Sequence, residues 1–297
     1  MTSTKPWWAS APPLAWRGRM DSGAGRYAAS YQGQPGAYSE QAARTICGAD
    51  AALLPCATLA DAFRAVAEGK AASAVVPIEN TLAGAVPGAL SLLLASGFVV
   101  HAETSERIDH VVAGTADAAL DAVREILSHP VALAQCEGFF RAHPDVRAVS
   151  VFDTAGAVEM VVRDGDPGRA AIASRAAAHL YGASILAEHV QDHEANYTRF
   201  VQVAPGPRRE MAAGPCRIML AMRLAHQPGT LVAALQVLNS LGLNLTRIDS
   251  SPVAGSPFEY EFIVEGVTER APDAAMAIET LGRDSRFRVL GCFHFAG

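Results

Sequence analysis

The sequence has few cysteines, and none of them is spaced as a metal ligand. Its five cysteines lie far apart and no C-x-x-C pair occurs: Cys47, Cys56, Cys136, Cys216 and Cys292. An odd number of scattered cysteines argues against both a disulfide framework and a zinc site. We therefore expect reduced, mostly buried cysteines, no bound metal, and a reducing compartment such as the cytoplasm.

Long apolar runs are also missing. None reaches the roughly 18 residues that cross a membrane, and the best candidate, GALSLLLASGFVV at 88–100, is interrupted by Ser and Gly. Prolines break the apolar part of the N-terminus, which makes it a poor signal peptide. All three tryptophans lie there, outside any periodic segment. We expect residues 1–25 to form a disordered tail, with Met20 as a second candidate start.

Basic charge is scarce, since the formal net charge is −6. A nucleic-acid-binding protein would carry a basic face, so this function class is disfavoured, and we expect no membrane partner either. An anionic substrate is still compatible with the composition. Its binding groups would then have to be local rather than a general basic field.

The chain up to about residue 204 alternates strand-like and helix-like segments. Strands are predicted at 26–31, 53–56, 73–78, 98–108, 108–114, 170–174 and 184–190, and helices at 38–47, 59–69, 88–97, 116–124, 130–142, 154–163 and 176–182. This rhythm predicts an α/β fold of parallel sheets covered by helices. In such sheets ligands bind at the carboxyl ends of strands.

The pattern changes after the Pro- and Gly-rich stretch 205–215, which we interpret as a linker. The following segments read strand 216–224, helix 229–242, strand 243–251, strand 258–266, helix 271–282 and strand 286–295. This β-α-β-β-α-β order is typical of a ferredoxin-like unit. The sequence therefore predicts a larger α/β domain and a smaller α+β domain.

Two polar loops follow predicted strands. In GQPGAYSE (33–40), Gly33 and Gly36 permit a tight turn into a helix whose first amides suit an anion. Such a turn without a ligand is also common, and the Walker signature is absent. In PIENTLAG (77–84), the trio Glu79, Asn80 and Thr81 either caps the next helix or faces a cleft.

A third stretch, SHPVALAQC, places His129 before a probable helix and Gln135 on it. A lone histidine is most often structural or solvated, and no second histidine sits at a metal-like spacing, so we expect no metal. In NYTRF (196–200), an extended backbone puts Asn196, Thr198 and Phe200 on one face and Arg199 on the other. That segment is either a decorated edge strand or the floor of an active site.

Taken in order, these segments resemble those of the prephenate dehydratase family. The matching stretches are YQGQPGAYSEQAA, VVPIENTLAG, SHPVALAQC, AAIASRAAAHLYGASILAEHVQD, NYTRF and GTLVAALQVLNSLGLNLTRIDSSP. They span about residues 27–293, and their order is more specific than any one of them. The resemblance implies a two-lobe catalytic domain like a periplasmic binding protein, followed by a ferredoxin-like ACT domain.

The implied domains are a tail at 1–25, a catalytic domain at 26–204, a linker at 205–215 and an ACT domain at 216–297. Within the catalytic domain, lobe 1 would comprise about 26–103 and 190–204, and lobe 2 about 104–189. We expect a monofunctional member, because 25 residues are too few for the helices of a chorismate mutase segment.

The resemblance implies conversion of prephenate to phenylpyruvate, water and carbon dioxide, in phenylalanine synthesis and without a cofactor. The family assigns the essential role to the threonine of T-R-F, here Thr198, as proton donor or relay. Asn196, Arg199 and Phe200 accompany it as catalytic candidates. The implied substrate-binding residues are Ala37, Tyr38, Ser39, Glu79, Asn80, Thr81, Gly84 and Gln135. Thr81 stands where the family often has serine, which keeps the hydroxyl.

The resemblance also implies that phenylalanine binds between paired ACT domains, in a homodimer or homotetramer. The implied effector residues are Gly229, Thr230, Leu231, Val232, Asn244, Leu245, Asp249, Ser250, Ser251 and Pro252. Ser251 replaces the arginine of the family's E-S-R-P motif. The lost charge predicts altered sensitivity to phenylalanine.

Two rival functions are compatible with the same residues. Arogenate dehydratase acts on the amino analogue of prephenate, and the sequence does not rank the two substrates. A non-catalytic amino-acid sensor would join a binding-protein fold to an ACT domain. The intact Thr198-Arg199-Phe200 motif argues against a sensor.

Overall fold

The computed structural model describes residues 26–206, 215–252, 260–269 and 271–294. The predicted tail at 1–25 and residues 207–214 of the predicted linker lie outside the described residues. The described chain forms two compact units. One comprises residues up to 86 together with 104–200, and the other comprises 87–103 together with 201 onward. Within the described residues the chain passes from one unit to the other three times, between residues 86 and 87 and within the two strands Val99–Arg107 and Tyr197–Ala204.

The first lobe of the unit that comprises residues up to 86 and 104–200 is built around a parallel sheet. Its elements are β1 (Tyr27–Gln32), α1 (Tyr38–Cys47), β2 (Leu53–Cys56), α2 (Leu59–Ala67), β3 (Ala71–Asn80) and β4 (Gly84–Ala85). β1 lies between β2 and β3 and is parallel to both, while β4 pairs antiparallel with the end of β3. The parallel arrangement predicted from the strand–helix rhythm is confirmed in this lobe.

The second lobe has a five-stranded sheet in the order β10-β6-β9-β7-β8. Its elements are β6 (His110–Gly114), β7 (Glu125–Ser128), α4 (Pro130–Ala134), α5 (Glu137–Ala142), β8 (Arg147–Ser150), α6 (Thr154–Asp164), β9 (Arg169–Ser174), α7 (Arg175–Leu180) and β10 (Ser184–Ala187). β7 is parallel to β8 and β9, whereas β6 is antiparallel to β9 and β10. Apolar clusters cover both faces of this sheet.

Two of the helices expected from the sequence are wrong. The segment 116–124 contains only a 3-10 turn at Leu120–Ala122, and β7 follows at once. The predicted helix 130–142 is broken between α4 and α5, because the backbone of Cys136 leaves helical geometry at φ −124° and ψ 29°. Gln135 therefore lies at the C-terminal cap of α4 instead of inside a longer helix.

The starts of two helices differ in their caps. Helix α1 begins at Tyr38, as predicted, after Ala37, whose side chain makes no capping hydrogen bond. Asp153 caps α6, because its carboxylate accepts a hydrogen bond from the Gly156 amide at 2.6 Å. Of the five cysteines, Cys136, Cys216 and Cys292 are buried and the other two are half-buried.

The second unit contains α3 (Ala89–Ser96), the first part of β5 (Val99–Arg107) and most of β11 (Tyr197–Ala204), followed by β12 (Cys216–Arg223), α8 (Thr230–Ser240), β13 (Asn244–Pro252), β14 (Tyr260–Thr268), α9 (Ala271–Gly282) and β15 (Phe287–His294). The last six elements follow the predicted β-α-β-β-α-β order. Their strands form an antiparallel sheet ordered β13-β14-β12-β15. β15 also pairs in parallel with β5 at Gly291 and Val100.

Charged groups are buried in this second unit as an ion-pair network of Glu103, Arg217, Glu265, Arg247 and Asp249. Arg217 contacts Glu103 at 3.1 Å and Glu265 at 3.3 Å. Arg247 contacts Glu265 at 3.5 Å and also pairs with Asp249. The Glu265 side chain is fully buried, and two arginines therefore compensate one carboxylate that has lost its water.

No helix in the described part of the chain is long and apolar enough to cross a membrane.

Candidate active site

The candidate site lies where β3 ends, where β11 begins and where α4 meets α5. These three chain segments bring together three side-chain amides and one hydroxyl, which we call the amide cluster: Asn80, Gln135, Asn196 and Thr198. Asn196 is fully buried, Asn80 is 8% exposed, and the other two are half-buried. The cluster contains no formal charge, so its members act through hydrogen-bond direction.

Asn80 is the anchor of the cluster, because the backbone determines the orientation of its amide. Its Oδ1 accepts hydrogen bonds from the backbone amides of Leu82 at 3.0 Å and Ala83 at 2.8 Å. Its Nδ2 therefore faces the other way and donates to Asn196 Oδ1 at 2.8 Å and Thr198 Oγ1 at 3.0 Å. This is an Asx-type turn at the end of β3.

The Thr198 hydroxyl consequently accepts a hydrogen bond from Asn80. Because an amide nitrogen has no lone pair to offer, the hydroxyl hydrogen of Thr198 must point elsewhere. A hydroxyl that accepts one hydrogen bond is polarised and donates a second one more strongly. The site thus holds a half-buried O–H group whose proton is directed away from its protein neighbour.

The orientation of the Asn80 amide also determines the orientations of the Asn196 and Gln135 amides. Asn196 Oδ1 accepts from Asn80, so Asn196 Nδ2 is the donor to Gln135 Oε1 at 3.0 Å. Gln135 Nε2 then faces Asn80 Oδ1 at 3.4 Å. Its position at the end of α4 places Gln135 here, and the backbone amide of Asp192 donates to the Gln135 carbonyl at 2.7 Å. The break between α4 and α5 therefore places the Gln135 side chain in the amide cluster.

A buried histidine adjoins the cluster, and sequence reasoning missed it. His110 is 2% exposed at the start of β6, with Nε2 at 3.3 Å from Gln135 Oε1 and Nδ1 at 3.2 Å from the Tyr38 hydroxyl. Burial lowers the pKa of His110 to about 4, so the ring is neutral at pH 7. The available signal was a histidine opening an otherwise apolar strand, HVVAG.

Tyr38 joins α1 to this group. Its hydroxyl donates to the Asp109 carbonyl at 2.6 Å, and its ring meets the His110 ring edge-on with centroids 5.7 Å apart. Burial raises the pKa of the Tyr38 phenol above its usual range, so it remains a protonated donor. The structure therefore places this predicted substrate-binding residue beside His110.

Arg199 lies on the opposite face of β11 from Thr198, as the alternation predicts. Its Nη2 contacts Glu79 Oε2 at 3.0 Å, and the two side chains are 13% and 42% exposed respectively. The carboxylate partner expected for Arg199 is thus available within the protein. The ion pair connects the end of β3 to the start of β11 beside the amide cluster.

Phe200 and Thr81 also stabilise this junction. Phe200 is 2% exposed and packs in the core of the first lobe with Ala29, Ala42 and Val75. The Thr81 hydroxyl donates to the Ala195 carbonyl at 3.1 Å and accepts from the Tyr197 amide at 2.9 Å. Gly84 lies in the exposed strand β4 with φ +79°, outside these contacts.

The glycine loop before α1 packs against the second lobe. Gly36 has φ +90°, and a Cβ there would lie 2.7 Å from the Cα of Ala177. The Ser174 hydroxyl donates to the Gly36 carbonyl at 2.6 Å, and the Gly36 amide donates to the Glu40 carboxylate. Close approach of the lobes therefore accounts for Gly36, while the amides of Ala37, Tyr38 and Ser39 stay predicted anion ligands.

The predicted effector residues fall into two groups in the second unit. Gly229, at φ +85°, precedes α8, and the Thr230 hydroxyl donates to the Ala225 and Gln227 carbonyls, both at 2.9 Å. Asn244, Leu245, Asp249, Ser250, Ser251 and Pro252 lie on β13, at the edge of the sheet.

A pocket opens beside the first group. It is lined by Arg223, Leu224, Ala225, His226, Gln227, Thr230, Leu231, Tyr260 and Phe262. The lining contains two of the predicted effector residues, Thr230 and Leu231, together with one guanidinium and two aromatic rings. It is thus suited to a small amphipathic molecule with an anionic end.

A family model described as "Prephenate dehydratase" matches residues 29–208. A bifunctional N-acyl-homoserine lactone acylase/prephenate dehydratase of Komagataeibacter europaeus is 38% identical, over 85% of this chain and 90% of the relative. A chloroplastic arogenate dehydratase/prephenate dehydratase of Arabidopsis thaliana is 34% identical, over 92% of this chain and 74% of the relative.

The fold is likewise similar to a solved structure. The crystal structure of a prephenate dehydratase of Arthrobacter aurescens in complex with L-Phe superposes with a TM-score of 0.76 at 28% identity. The match covers 90% of each chain. The similarity therefore extends beyond the residues that the family model matches.

Proposed function

The chain belongs to the prephenate dehydratase family and is an enzyme of prephenate dehydration; we propose that the reaction takes place at the amide cluster. In that reaction prephenate loses its ring hydroxyl as water and its ring carboxylate as carbon dioxide, which leaves the aromatic ring of phenylpyruvate. The enzyme must assist a poor leaving group, hydroxide. The observation that carries the proposal is the direction of the Asn80 to Thr198 hydrogen bond.

Thr198 is proposed to donate its hydroxyl hydrogen to the departing hydroxide. Asn80 donates to one lone pair of Thr198 Oγ1, so the hydroxyl hydrogen points away from Asn80, and we propose that it faces the substrate. Because a threonine hydroxyl is a very weak acid, we favour a strong hydrogen bond or a proton relay over full proton transfer. Assistance to a leaving group by a positioned donor is typically worth about 10²–10⁴ in rate.

Gln135 is proposed as the second polar group that meets the substrate. Only one of its Nε2 hydrogens is directed at Asn80, which leaves the other available to a substrate carboxylate or hydroxyl. The first amides of α1, near Ala37, Tyr38 and Ser39, are proposed to hold the second carboxylate. Arg199 is proposed as a brace, that is, a residue that holds Glu79 in place through an ion pair. Its guanidinium already contacts the Glu79 carboxylate at 3.0 Å.

The decisive experiment compares Thr198→Val with Thr198→Ser in an assay with prephenate as the substrate. The rate of phenylpyruvate formation is measured. Valine has the shape of threonine without the hydroxyl, whereas serine keeps the donor. We expect turnover to fall by about 10²–10⁴ in Thr198→Val and to be largely retained in Thr198→Ser. Full activity of a well-folded Thr198→Val protein would contradict the assignment. Thr81→Val serves as a comparison, because it removes a neighbouring hydroxyl that contacts the backbone groups of Ala195 and Tyr197.

The preferred substrate is tested separately with arogenate. The relative from Arabidopsis thaliana carries both activities in its name, and the two substrates differ only in a keto or amino group. Prephenate is proposed as the main substrate. A larger kcat/KM for arogenate in side-by-side assays would reverse that choice while leaving the role of Thr198 intact.

A second candidate activity is hydrolysis of N-acyl-homoserine lactones. It is favoured by the 38% identity to a relative that carries this activity in its name, over 85% of this chain. Release of homoserine lactone from an acylated substrate would support it. Repeating that assay with Thr198→Val would show whether the two reactions share one site.

The β-α-β-β-α-β segment is proposed to be an ACT domain that binds phenylalanine in the pocket beside α8. Support comes from the pocket's aromatic and guanidinium lining and from the relative of Arthrobacter aurescens, which is described in complex with L-Phe. Inhibition by phenylalanine, together with a raised melting temperature, would support the proposal. The absence of both effects at millimolar phenylalanine would exclude the proposal.

Assembly through β13 is proposed to complete this effector site. β13 is an edge strand whose Leu245 and Ile248 side chains are 37% and 49% exposed. An exposed apolar edge favours pairing with a second copy. Light scattering after gel filtration should give a dimer or tetramer, and Ile248→Lys should shift it toward monomer.

A further inference from the structure

We propose that His110 is a positioning residue of the reaction, which holds the Gln135 amide in the orientation that meets the substrate. The inference rests on the proposed function of the amide cluster. His110 is 2% exposed and has no route to the substrate of its own. Its ring instead lies between two groups of the site, Gln135 on one side and Tyr38 on the other.

The tautomer of His110 follows from a chain of hydrogen bonds that starts at the backbone. The amides of Leu82 and Ala83 orient Asn80, which orients Asn196, which donates to Gln135 Oε1. Gln135 Oε1 is therefore an acceptor, and the His110 Nε2 that faces it at 3.3 Å must carry the hydrogen. We assign the Nε2–H tautomer on this basis.

The other side of the ring faces Tyr38 of α1. In a neutral Nε2–H imidazole, Nδ1 is a bare acceptor. It lies 3.2 Å from the Tyr38 hydroxyl, whose single hydrogen is directed at the Asp109 carbonyl at 2.6 Å. The Nε2–H tautomer therefore follows from the Gln135 side of the ring alone.

Two donors then converge on one oxygen of Gln135. Asn196 Nδ2 and His110 Nε2 both approach Oε1, at 3.0 Å and 3.3 Å. A flipped Gln135 amide would present hydrogens to both donors and lose both bonds. Without His110, the flip would be opposed by Asn196 and by the longer contact of Gln135 Nε2 with Asn80 Oδ1 at 3.4 Å, and Gln135 Nε2 would face the substrate for a smaller fraction of the time.

The ring is neutral in this arrangement. The titratable groups that face His110 are Tyr38 of α1 and the neighbouring Asp109, and burial outweighs the carboxylate, so the imidazole stays neutral near pH 7.

The test uses substitutions that keep different halves of the imidazole. Glutamine places its amide nitrogen near the position of Nε2, whereas asparagine reaches only the position of Nδ1. We expect His110→Gln to stay within about threefold of the wild-type kcat. His110→Asn should lose about tenfold, the value of one orienting hydrogen bond, with a smaller change in KM. Equal activity of the two variants would overturn the proposal.

A double-mutant cycle separates positioning from a general structural role. If His110 acts through Gln135, then His110→Asn should cause no further loss of kcat in a Gln135→Leu background. If instead the loss of kcat in the double variant equals the product of the two single losses, His110 acts by a route that does not involve Gln135. Thermal melts of each full-length variant identify any that fail to fold.

A measurement without turnover distinguishes this proposal from the proposed function. Nitrogen-15 NMR of the histidine rings in the wild-type protein at pH 7 should show His110 protonated at Nε2 and bare at Nδ1. The opposite tautomer would refute the inference even if prephenate is the substrate. The expected tautomer with no prephenate turnover would instead reject the proposed function.

Discussion

The amide cluster around Thr198 and the ion-pair network around Glu265 both bury polar groups, but with opposite chemistry. The amide cluster has no formal charge, and each of its hydrogen bonds follows from the one before it. The ion-pair network collects two arginines and two further carboxylates around one fully buried glutamate. Neutral groups can be oriented at low desolvation cost, whereas charges must be compensated wherever they are buried.

This difference shows what each region requires. A site that assists the departure of hydroxide needs one hydrogen in one direction, and amide side chains anchored to backbone amides provide that direction. In the second unit, each buried charge of the sheet needs an oppositely charged partner to compensate for its lost water. Reversing a single donor should therefore abolish activity in one region, whereas removing a single charge should reduce stability in the other.

The largest expected effect comes from Asn80→Asp, which reverses a donor without changing shape. A carboxylate at this position would accept the Thr198 hydrogen and would repel Asn196 Oδ1. We expect kcat/KM for prephenate to fall by about 100-fold or more. The same exchange at the exposed Asn239 of α8 is the control and should have no effect without phenylalanine. Retained activity in Asn80→Asp would show that donor direction does not matter.

Glu265→Gln should give the next largest effect, and on stability rather than turnover. It leaves Arg217 and Arg247 with one compensating carboxylate fewer, so we expect a loss of about 3 kcal/mol in the free energy of unfolding. Urea unfolding of the full chain measures it. Glu279→Gln removes an exposed pair with Arg283 and should cost less than about 1 kcal/mol. Similar losses in both would remove the contrast between buried and exposed pairs.

Acid should act on the amide cluster through His110. The pKa of His110 is lowered to about 4 in the folded chain, against about 6.5 in the unfolded chain. The unfolded chain therefore binds more protons between these values, and folding stability falls as pH drops from 6.5 toward 4. The contribution is fully present above pH 6.5 and amounts to about 3 kcal/mol when lost.

The measurement compares urea unfolding of the wild type and of His110→Gln from pH 7.5 to pH 4. Other groups titrate in both proteins, so the difference between the two curves isolates His110. We expect the wild type to lose more stability than the variant over this interval. Parallel curves would mean that the histidine is not held neutral.

The smallest effect is expected for Glu79→Gln, at the ion pair that borders the neutral cluster. Because Glu79 is 42% exposed, its pair with Arg199 should contribute less than about 1 kcal/mol to stability. If Arg199 is a brace, turnover should change by less than about fivefold. A marked fall in KM would instead indicate that the released guanidinium binds a substrate carboxylate.

Much of the fold follows from the sequence, because the periodic segments are long. Helix α1 and strand β2 occur at the predicted residues, and the C-terminal unit has the predicted order of elements. The failures involve short elements. β7 and β8 have four residues each, too few for a period to emerge, and β8 is mostly exposed at a sheet edge. The apolar spacing of 116–124 suggested a helix that tertiary contacts override.

The candidate site was predictable as a set of segments but not as a geometry. Thr198, Asn196, Asn80 and Gln135 were all named, and the structure brings them together. The sequence could not show which atom of each amide donates, because that depends on the backbone turn at Leu82 and Ala83. Nor could it reveal His110, whose role depends on burial between two segments far apart in the chain.

The discontinuity of the second unit has a consequence for synthesis on the ribosome. Residues 87–103 are translated more than a hundred residues before β12, yet Glu103 finds Arg217, and Val100 finds Gly291, only in the last part of the chain. The emerging polypeptide must therefore keep α3 and the first half of β5 without their final neighbours until translation is nearly complete. A stop codon placed before residue 216 would remove the C-terminal strands and would also leave α3 and the first half of β5 without the partners that those strands provide.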